Sequence, residues 1–123
     1  MPSKESLGAF VAQVVSGDHV GAIRDWYHPE AWMQENQAPP REGGREALMA
    51  QEAGMLARAE SVETEILGGP LVAGDHVAIR WRFSFVFKDG RRMRMEEVAW
   101  QTWRGEKIAT ETFFYDPAQQ KPG

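Results

Sequence analysis

The segment from Asp75 to Tyr115 constrains the fold most, because it has the pattern of three antiparallel strands joined by two tight turns. The predicted turns are Asp89-Gly90 and Gly105-Glu106, since glycine tolerates the positive φ that a two-residue hairpin requires. The rest of the chain is then expected to cover one side of this sheet.

The register of both hairpins follows by counting from the turns, because side chains alternate between the two faces of a strand. We expect Lys88 opposite Arg91 and Arg104 opposite Lys107. This register assigns to the core face Val77, Ile79, Trp81, Phe83, Phe85, Val98, Trp100, Ala109 and Phe113.

Two carboxylates fall on the same apolar face, Glu96 opposite Phe83 and Glu111 opposite Trp100. Ionisation is costly among large aromatic side chains, so these two residues are the predicted catalytic candidates. Glu111 is the first choice for a general base or a polar contact to a ligand. The alternative is a structural carboxylate bonded to an arginine or to a tryptophan indole N–H.

The neighbouring carboxylates leave alternatives open. Glu96 and Glu97 are adjacent, so one points inward and the other outward, and a β-bulge would exchange them; the counted register favours Glu96 inside. Glu35 and Glu52 are predicted to face the same cavity, with a solvated carboxylate as the alternative for each.

Aromatic residues are predicted to shape a pocket for a small hydrophobic molecule. The candidates that join Glu35 and Glu52 as ligand-binding residues are Tyr27, Trp32, Trp81, Phe83, Trp100 and Phe113. The alternative role for most of them is core filling, since aromatic side chains dominate protein interiors.

The opposite face of the predicted sheet is also apolar. It carries Met93, Met95, Trp103, Ile108 and Phe114, which is more apolar surface than a solvated face usually has. We therefore expect a homodimer formed through this outer face, with a cross-strand ion pair between Arg82 and Glu97.

The preceding chain supplies the covering elements. Helical periodicity predicts a helix over residues 4–16 capped by Ser3, a shorter helix from Asp18 to near His28, and a third from Arg45 to about Ala59. Residues 30–37 are predicted as an edge strand, and residues 61–67 as the strand before the three-stranded segment. The expected architecture is α+β, one domain over residues 1–123, with residues 117–123 a frayed tail.

Composition excludes several classes of protein. The net charge of −4 provides no basic surface for nucleic acid, and no apolar run approaches a membrane span. The absence of cysteine excludes thiolate chemistry, and His19, His28 and His76 have no metal-ligand spacing, so no metal is expected. With no targeting segment recognised, a cytoplasmic location is expected.

Several motifs resemble the SnoaL-like branch of the NTF2-like superfamily, the cone-shaped fold shared with ketosteroid isomerases, scytalone dehydratase and limonene epoxide hydrolase. They are Trp26–Glu30, Gly44–Leu48, Gly74–Arg80, and the ending from Trp103–Ile108 through Glu111 to Phe114–Pro117. The resemblance covers nearly the whole chain. It implies a strongly curved, mostly antiparallel sheet wrapped round three helices.

The resemblance further implies a homodimer, a closed apolar pocket and, for some relatives, acid–base chemistry without metal or organic cofactor. It implies no single reaction, because the fold hosts isomerases, dehydratases, cyclases, hydrolases and non-catalytic binding modules. The tyrosine and aspartate oxyanion donors of ketosteroid isomerases have no clear match in this chain, and the aspartate-rich epoxide hydrolase site is absent from the expected strands. An acid–base enzyme and a binding or assembly module therefore both stand as hypotheses.

Overall fold

The computed structural model describes residues 1–120, which form three helices, a five-stranded sheet and a short 3-10 helix. The helices are α1 (Lys4–Val15), α2 (His19–Trp26) and α3 (Gly44–Ala57). The strands are β1 (Tyr27–Glu35), β2 (Ala59–Ala73), β3 (His76–Phe87), β4 (Arg92–Arg104) and β5 (Lys107–Phe114). The predicted α+β order of elements is confirmed.

The sheet has the strand order β1-β5-β4-β3-β2, so β1 is an edge strand as predicted. β1 runs parallel to β5, and the other neighbouring strands are antiparallel. β1 therefore extends the antiparallel segment on the side away from β2, although α3 and three strands separate it from β5 in sequence.

The three helices pack on one face of this sheet because each carries an apolar stripe. Ser3 caps α1 and Asp18 caps α2, each side chain accepting a hydrogen bond at 3.1 Å from the backbone N–H three residues on. The core that these helices form with the sheet includes Leu7, Phe10, Ala22, Ile23, Leu48, Val77, Ile79, Trp81, Ala99, Trp103 and Ile108.

The turn between β3 and β4 contains three residues, and the prediction of a two-residue turn is wrong. Phe87 N–H donates to the Arg91 carbonyl at 2.8 Å, and Val86 pairs with Arg92. Gly90 provides the positive φ, +89°, that such a turn needs at its last position. One extra turn residue shifts the register by one, which moves every β4 side chain to the other face.

This shift reverses the assignment of β4. Met95 and Trp103, predicted on the outer face, are buried in the core. Val98 and Trp100, predicted in the core, are 39% and 45% exposed.

The hairpin between β4 and β5 has the predicted pairing of Arg104 with Lys107. The register then slips, because Trp103 pairs with Ile108 whereas Thr102 pairs with Thr110, which leaves Ala109 as the extra residue of a bulge. Beyond the bulge the odd-numbered residues of both strands share the inner face. Glu111 therefore lies inside as predicted, but it pairs with Gln101 and not with Trp100.

Two further expectations are corrected. Arg82 contacts Glu96 at 3.3 Å and Glu65 at 3.8 Å, and not Glu97, because Glu96 shares its face. Pro117–Gln120 is a 3-10 helix docked on β4, so fraying is wrong for these residues. Gln119 accepts from Glu96 N–H at 2.9 Å and donates to its carbonyl at 3.1 Å. Residues 121–123 lie outside the described part.

Candidate active site

A cavity of about 180 Å³ lies between the inner face of the sheet and the helices. Pockets for drug-sized ligands measure roughly 300–1,000 Å³, so this cavity suits a smaller molecule. Its apolar lining is Phe10, Val14, Ile23, Tyr27, Met33, Met55, Trp81, Phe83, Phe85 and Phe113. Its polar lining is His19, Glu35, Arg41, Gln51, Glu52, Glu97 and Glu111.

Glu111 is held in the cavity wall by two neutral donors. The Tyr27 hydroxyl donates to Oε1, and the Gln101 amide donates to Oε2 at 2.6 Å. The Gln101 amide oxygen in turn accepts from the Trp103 indole N–H at 2.9 Å. The side chain of Glu111 is 1% exposed, so these two hydrogen bonds are shielded from bulk water, and within residues 1–120 the carboxyl forms no ion pair.

The protonation of Glu111 is set by opposing effects. Burial raises the pKa of its carboxyl to about 7, against the lowering effect of the hydrogen bonds from Tyr27 and Gln101. The Glu52 carboxylate adds to the rise. Burial and the neighbouring Glu111 also raise the pKa of the Tyr27 phenol above its ordinary value of 10.

Glu97 lies on the same face of β4 as Gln101 and also lines the cavity. Burial raises the pKa of its carboxyl to about 8, with additional contributions from the carboxylates of Glu35, Glu111 and Glu52. Within residues 1–120 the Glu97 carboxyl receives no hydrogen bond that would offset this. Glu97 therefore presents a carboxyl to the cavity that titrates near neutral pH.

A polar cluster around Glu35 forms another part of the wall. Arg41 Nη2 contacts Glu35 Oε2 at 2.9 Å, and the Tyr115 hydroxyl donates to Oε1 at 2.8 Å. Burial and Glu35 raise the pKa of Tyr115 to about 12. Both oxygens of Glu35 are thus partnered.

His19 connects α2 to α3 and β2 along the cavity. Its Nδ1 lies 3.3 Å from Glu52 Oε1, and its Nε2 lies 2.8 Å from the Thr64 hydroxyl. Its ring meets Phe83 edge-on, with centroids 5.8 Å apart. Both ring nitrogens of His19 therefore contact side chains of neighbouring elements, Glu52 and Thr64.

Most predicted site residues lie in the cavity wall. They are Tyr27, Glu35, Glu52, Trp81, Phe83, Glu111 and Phe113. Glu96 does not, because the three-residue turn exchanges it with Glu97. Its carboxyl lies on the outer face, 3.5 Å from Arg80 and 3.3 Å from Arg82.

Trp32 and Trp100, predicted as ligand-binding residues, also lie outside the cavity wall. Met33 and Glu35 of β1 line the cavity, so the alternation of the strand places Trp32 on the opposite face, beside Thr110. Trp100 lies on the outer face of β4 and stacks on His76, with ring centroids 5.2 Å apart. Neither tryptophan contributes to the cavity.

Sequence reasoning missed His19, Arg41 and Gln101 as parts of the site. Gln101 was identifiable from alternation with Glu97 once the register was known. His19 and Arg41 follow a helix cap and a proline pair, and no local pattern indicates that their side chains reach the cavity.

The described residues, 1–120, contain neither a candidate metal site nor a candidate membrane-spanning helix. No group of three His, Asp or Glu side chains has a geometry that would hold a metal ion. In the same residues no helix is both long and apolar enough to cross a membrane. The three histidines are dispersed over α2, β1 and β3.

A curved, mostly antiparallel sheet wrapped round three helices, with a cavity between them, is the NTF2-like cone fold. Within this class the chain belongs to the SnoaL-like domain family, which matches residues 7–111. No curated protein matches the sequence.

Solved structures agree with this assignment. A SnoaL-like protein of Mesorhizobium loti, named as a candidate polyketide cyclase, is 28% identical with a TM-score of 0.72, over 94% of this chain and 100% of that one. A ketosteroid isomerase-like protein of Catenulispora acidiphila, in complex with trimethylamine, is 22% identical with a TM-score of 0.76, over 95% and 89%. An LEH-like epoxide hydrolase of M. tuberculosis is 11% identical with a TM-score of 0.74, over 94% and 83%. The last two show the fold alone.

Proposed function

We propose that this protein is an acid–base enzyme acting on a small, largely apolar molecule bound in the cavity. The observation that carries the proposal is the pair Glu97 and Glu111, two carboxyls in an aromatic wall whose pKa values are raised to about 8 and about 7. A group that titrates near the working pH is suited to proton transfer, because both of its protonation states are available. Two such groups lining one cavity provide an acid and a base.

The two carboxyls differ in what they can do. Glu97 has no hydrogen-bond partner within residues 1–120, so its anion is free to remove a proton from a ligand. Both oxygens of Glu111 are engaged by Tyr27 and Gln101, which suits it to holding a proton in a fixed position. We therefore assign Glu97 as the base and Glu111, with Tyr27, as the acid. Because the pKa of Glu97 exceeds that of Glu111, the reactive form, with Glu97 ionised and Glu111 protonated, is the less populated of the two singly protonated forms of the pair.

The names of the related structures support a reaction on a small molecule. They include a candidate polyketide cyclase and an epoxide hydrolase, and both kinds of reaction need proton transfer. The proposed substrate is a compact, mainly apolar molecule with an acidic C–H bond for Glu97 and an oxygen that accepts a proton from Tyr27; the small, largely aromatic lining supports this size and polarity.

The alternative is a non-catalytic binding module with the same cavity. The hydrogen-bonded state of Glu111 favours it, since a carboxyl with both oxygens satisfied also serves a purely structural role. The two proposals differ at Glu97, because a binding module has no need of a half-buried carboxyl that has no hydrogen-bond partner within residues 1–120.

The test uses 5-nitrobenzisoxazole, a small bicyclic aromatic that reports on a carboxylate base in an apolar site. Removal of its ring C–H proton breaks the N–O bond and produces a nitrile and a coloured phenolate, so no co-reactant is needed. Glu97→Gln should lower kcat/KM on the order of 10²-fold or more, because it removes the base and keeps the shape.

Glu96→Gln is the matched control, since it changes the adjacent residue on the outer face. It should leave turnover near that of the unmutated protein. Turnover by the unmutated protein that is no faster than that of Glu97→Gln contradicts the enzyme proposal and favours the binding module.

A further inference from the structure

A continuous chain of buried hydrogen bonds leads from β4 to the cavity through Trp103, Gln101, Glu111 and Tyr27. The indole N–H of Trp103 contacts Gln101 Oε1 at 2.9 Å, and Gln101 Nε2 contacts Glu111 Oε2 at 2.6 Å. Tyr27 closes the chain on Glu111 Oε1. All four side chains are at most 3% exposed, so bulk water does not compete for these bonds.

The direction of this chain is fixed by the chemistry of its first member. An indole nitrogen donates and cannot accept, so the amide atom that it contacts must be the oxygen of Gln101. The amide nitrogen of Gln101 therefore faces Glu111, and it can only donate. Oε2 of Glu111 is committed to accepting that bond.

A proton on Glu111 is therefore favoured on Oε1, because the Tyr27 oxygen beside Oε1 can accept a hydrogen bond whereas the Gln101 amide nitrogen beside Oε2 cannot. When Oε1 carries a proton it donates to the Tyr27 oxygen, and the hydroxyl hydrogen of Tyr27 is released from its bond to the carboxylate. Tyr27 lines the cavity, so this hydrogen becomes available to a bound molecule.

We propose that Trp103 and Gln101 are positioning residues that set the polarity of the Glu111–Tyr27 pair, and that Tyr27 delivers the proton to the ligand. The inference rests on the proposed function and assigns the delivering atom. In the transfer the Tyr27 O–H bond breaks, a bond from that hydrogen to the ligand oxygen forms, and the proton on Glu111 Oε1 moves to the Tyr27 oxygen. Glu111 ends as the carboxylate, so protons and charge balance.

Other groups that can carry a charge also line this cavity. Glu97 of β4, Glu52 of α3 and His19 of α2 line the same cavity, as do Glu35 and Arg41. Substitution of Trp103 alters none of them. A change in the titration of Glu111 after that substitution therefore reports on the hydrogen-bond chain.

The experiment compares two tryptophan substitutions by carbon-13 NMR of the glutamate side-chain carboxyls, with Glu111 assigned by Glu111→Gln. Trp103→Phe removes the donor that orients Gln101, so the amide is free to rotate and accept from the protonated carboxyl. We expect the titration midpoint of Glu111 to rise by about one pH unit, since a hydrogen bond that favoured the anion is lost. Trp26→Phe is the matched control, because Trp26 also donates to a glutamine oxygen at 2.9 Å, that of Gln13.

Gln101→Met provides a second variant in case Trp103→Phe does not fold. It removes the donor to Oε2 and should also raise the Glu111 midpoint. A midpoint that is unchanged or lower in every folded variant of Trp103 and Gln101 overturns the polarity assignment, and so does an equal rise in Trp26→Phe.

Turnover of 5-nitrobenzisoxazole tests the delivery step separately. The limb of the pH profile that falls with rising pH should move with the Glu111 midpoint in Trp103→Phe and disappear in Tyr27→Phe. Persistence of that limb in Tyr27→Phe overturns the delivery role and leaves the proposed function intact. Absence of Glu97-dependent turnover, with the midpoint shifted as expected, removes the proposed function and leaves the polarity assignment standing.

Discussion

Glu97 and Glu111 line one cavity, yet their surroundings affect their carboxyls differently. Two hydrogen bonds partly offset the burial of Glu111, whereas carboxylates around Glu97 reinforce the effect of burial. The pKa of Glu97 is therefore raised further, to about 8, although its side chain is less buried. At the residue scale, the lack of a hydrogen-bond donor raises the carboxyl pKa more than the greater burial of Glu111 does.

Glu97 should make the protein less stable as pH rises. Its pKa in the folded state, about 8, exceeds the ordinary value of 4.5, so between these pH values the folded chain holds a proton that the unfolded chain releases. The free energy of unfolding contributed by this group falls across that window and levels off above about pH 8. Glu97→Gln removes the titration, and relative to the unmutated protein it should gain a few kcal/mol between about pH 5 and about pH 8.5.

Urea denaturation of both proteins at the two pH values measures this gain. Glu96→Gln serves again as the control, since Glu96 is on the outer face beside two arginines. A stability difference between Glu97→Gln and the unmutated protein that does not change with pH would show that Glu97 titrates normally.

At the scale of elements, the start of α3 is fixed by close approach to β1. Gly44 has φ +70°, and a Cβ there would lie 2.4 Å from the Pro29 carbonyl oxygen. Gly44→Ala should therefore destabilise the fold by about 2 kcal/mol or more, because backbone must move and φ is strained.

Gly54→Ala in the same helix is the matched control. A Cβ at Gly54 meets nothing within 4 Å, so alanine should stabilise the fold by roughly 0.5–1 kcal/mol through helix propensity. Thermal unfolding should show a lower midpoint for Gly44→Ala and a higher midpoint for Gly54→Ala than for the unmutated protein. A neutral Gly44→Ala would mean that α3 does not begin against β1.

The helices and strands could be predicted from the sequence, whereas the register between strands could not. Hydrophobic periodicity and caps located the helices and strands, and Glu111 was placed inside. Which side chains of β4 face the core depends on whether the turn has two or three residues, and the local sequence around Asp89-Gly90 is compatible with both lengths. The local sequence also gives no sign of the bulge at Ala109. This bulge compensates for the shifted register of β4, so Glu111 lies on the inner face as predicted. His19 and Arg41 reach the cavity through tertiary packing, which no local pattern encodes.

At the scale of the whole molecule, the outer face of the sheet remains apolar after the register is corrected, although of the residues predicted to form its apolar surface only Phe114 is among the exposed large side chains there. Val98 and Phe114 are cross-strand partners, 39% and 48% exposed, and Trp100 follows on the same face. We propose that this outer apolar patch, Val98, Trp100 and Phe114, contacts a second copy of the chain. An antiparallel sheet face with three exposed large side chains in a row is typical of an interface.

Trp100→Glu should convert a dimer to a monomer, because an unpaired charge buried in an interface costs several kcal/mol. Light scattering at micromolar concentration measures the mass. Val15→Glu is the control, since Val15 is 41% exposed on α1, away from the sheet. A monomeric unmutated protein, or dimers that survive Trp100→Glu, would contradict the proposed interface.

The proposed acid–base function requires that both cavity carboxyls, those of Glu97 and Glu111, titrate near neutral pH. Its most direct test is the first step of the NMR experiment, the carboxyl titration of the unmutated protein, with Glu97→Gln and Glu111→Gln assigning the signals. We predict two glutamates with midpoints near 8 and 7, belonging to Glu97 and Glu111. Titration of both carboxyls near the ordinary glutamate value of 4.5 would contradict the account.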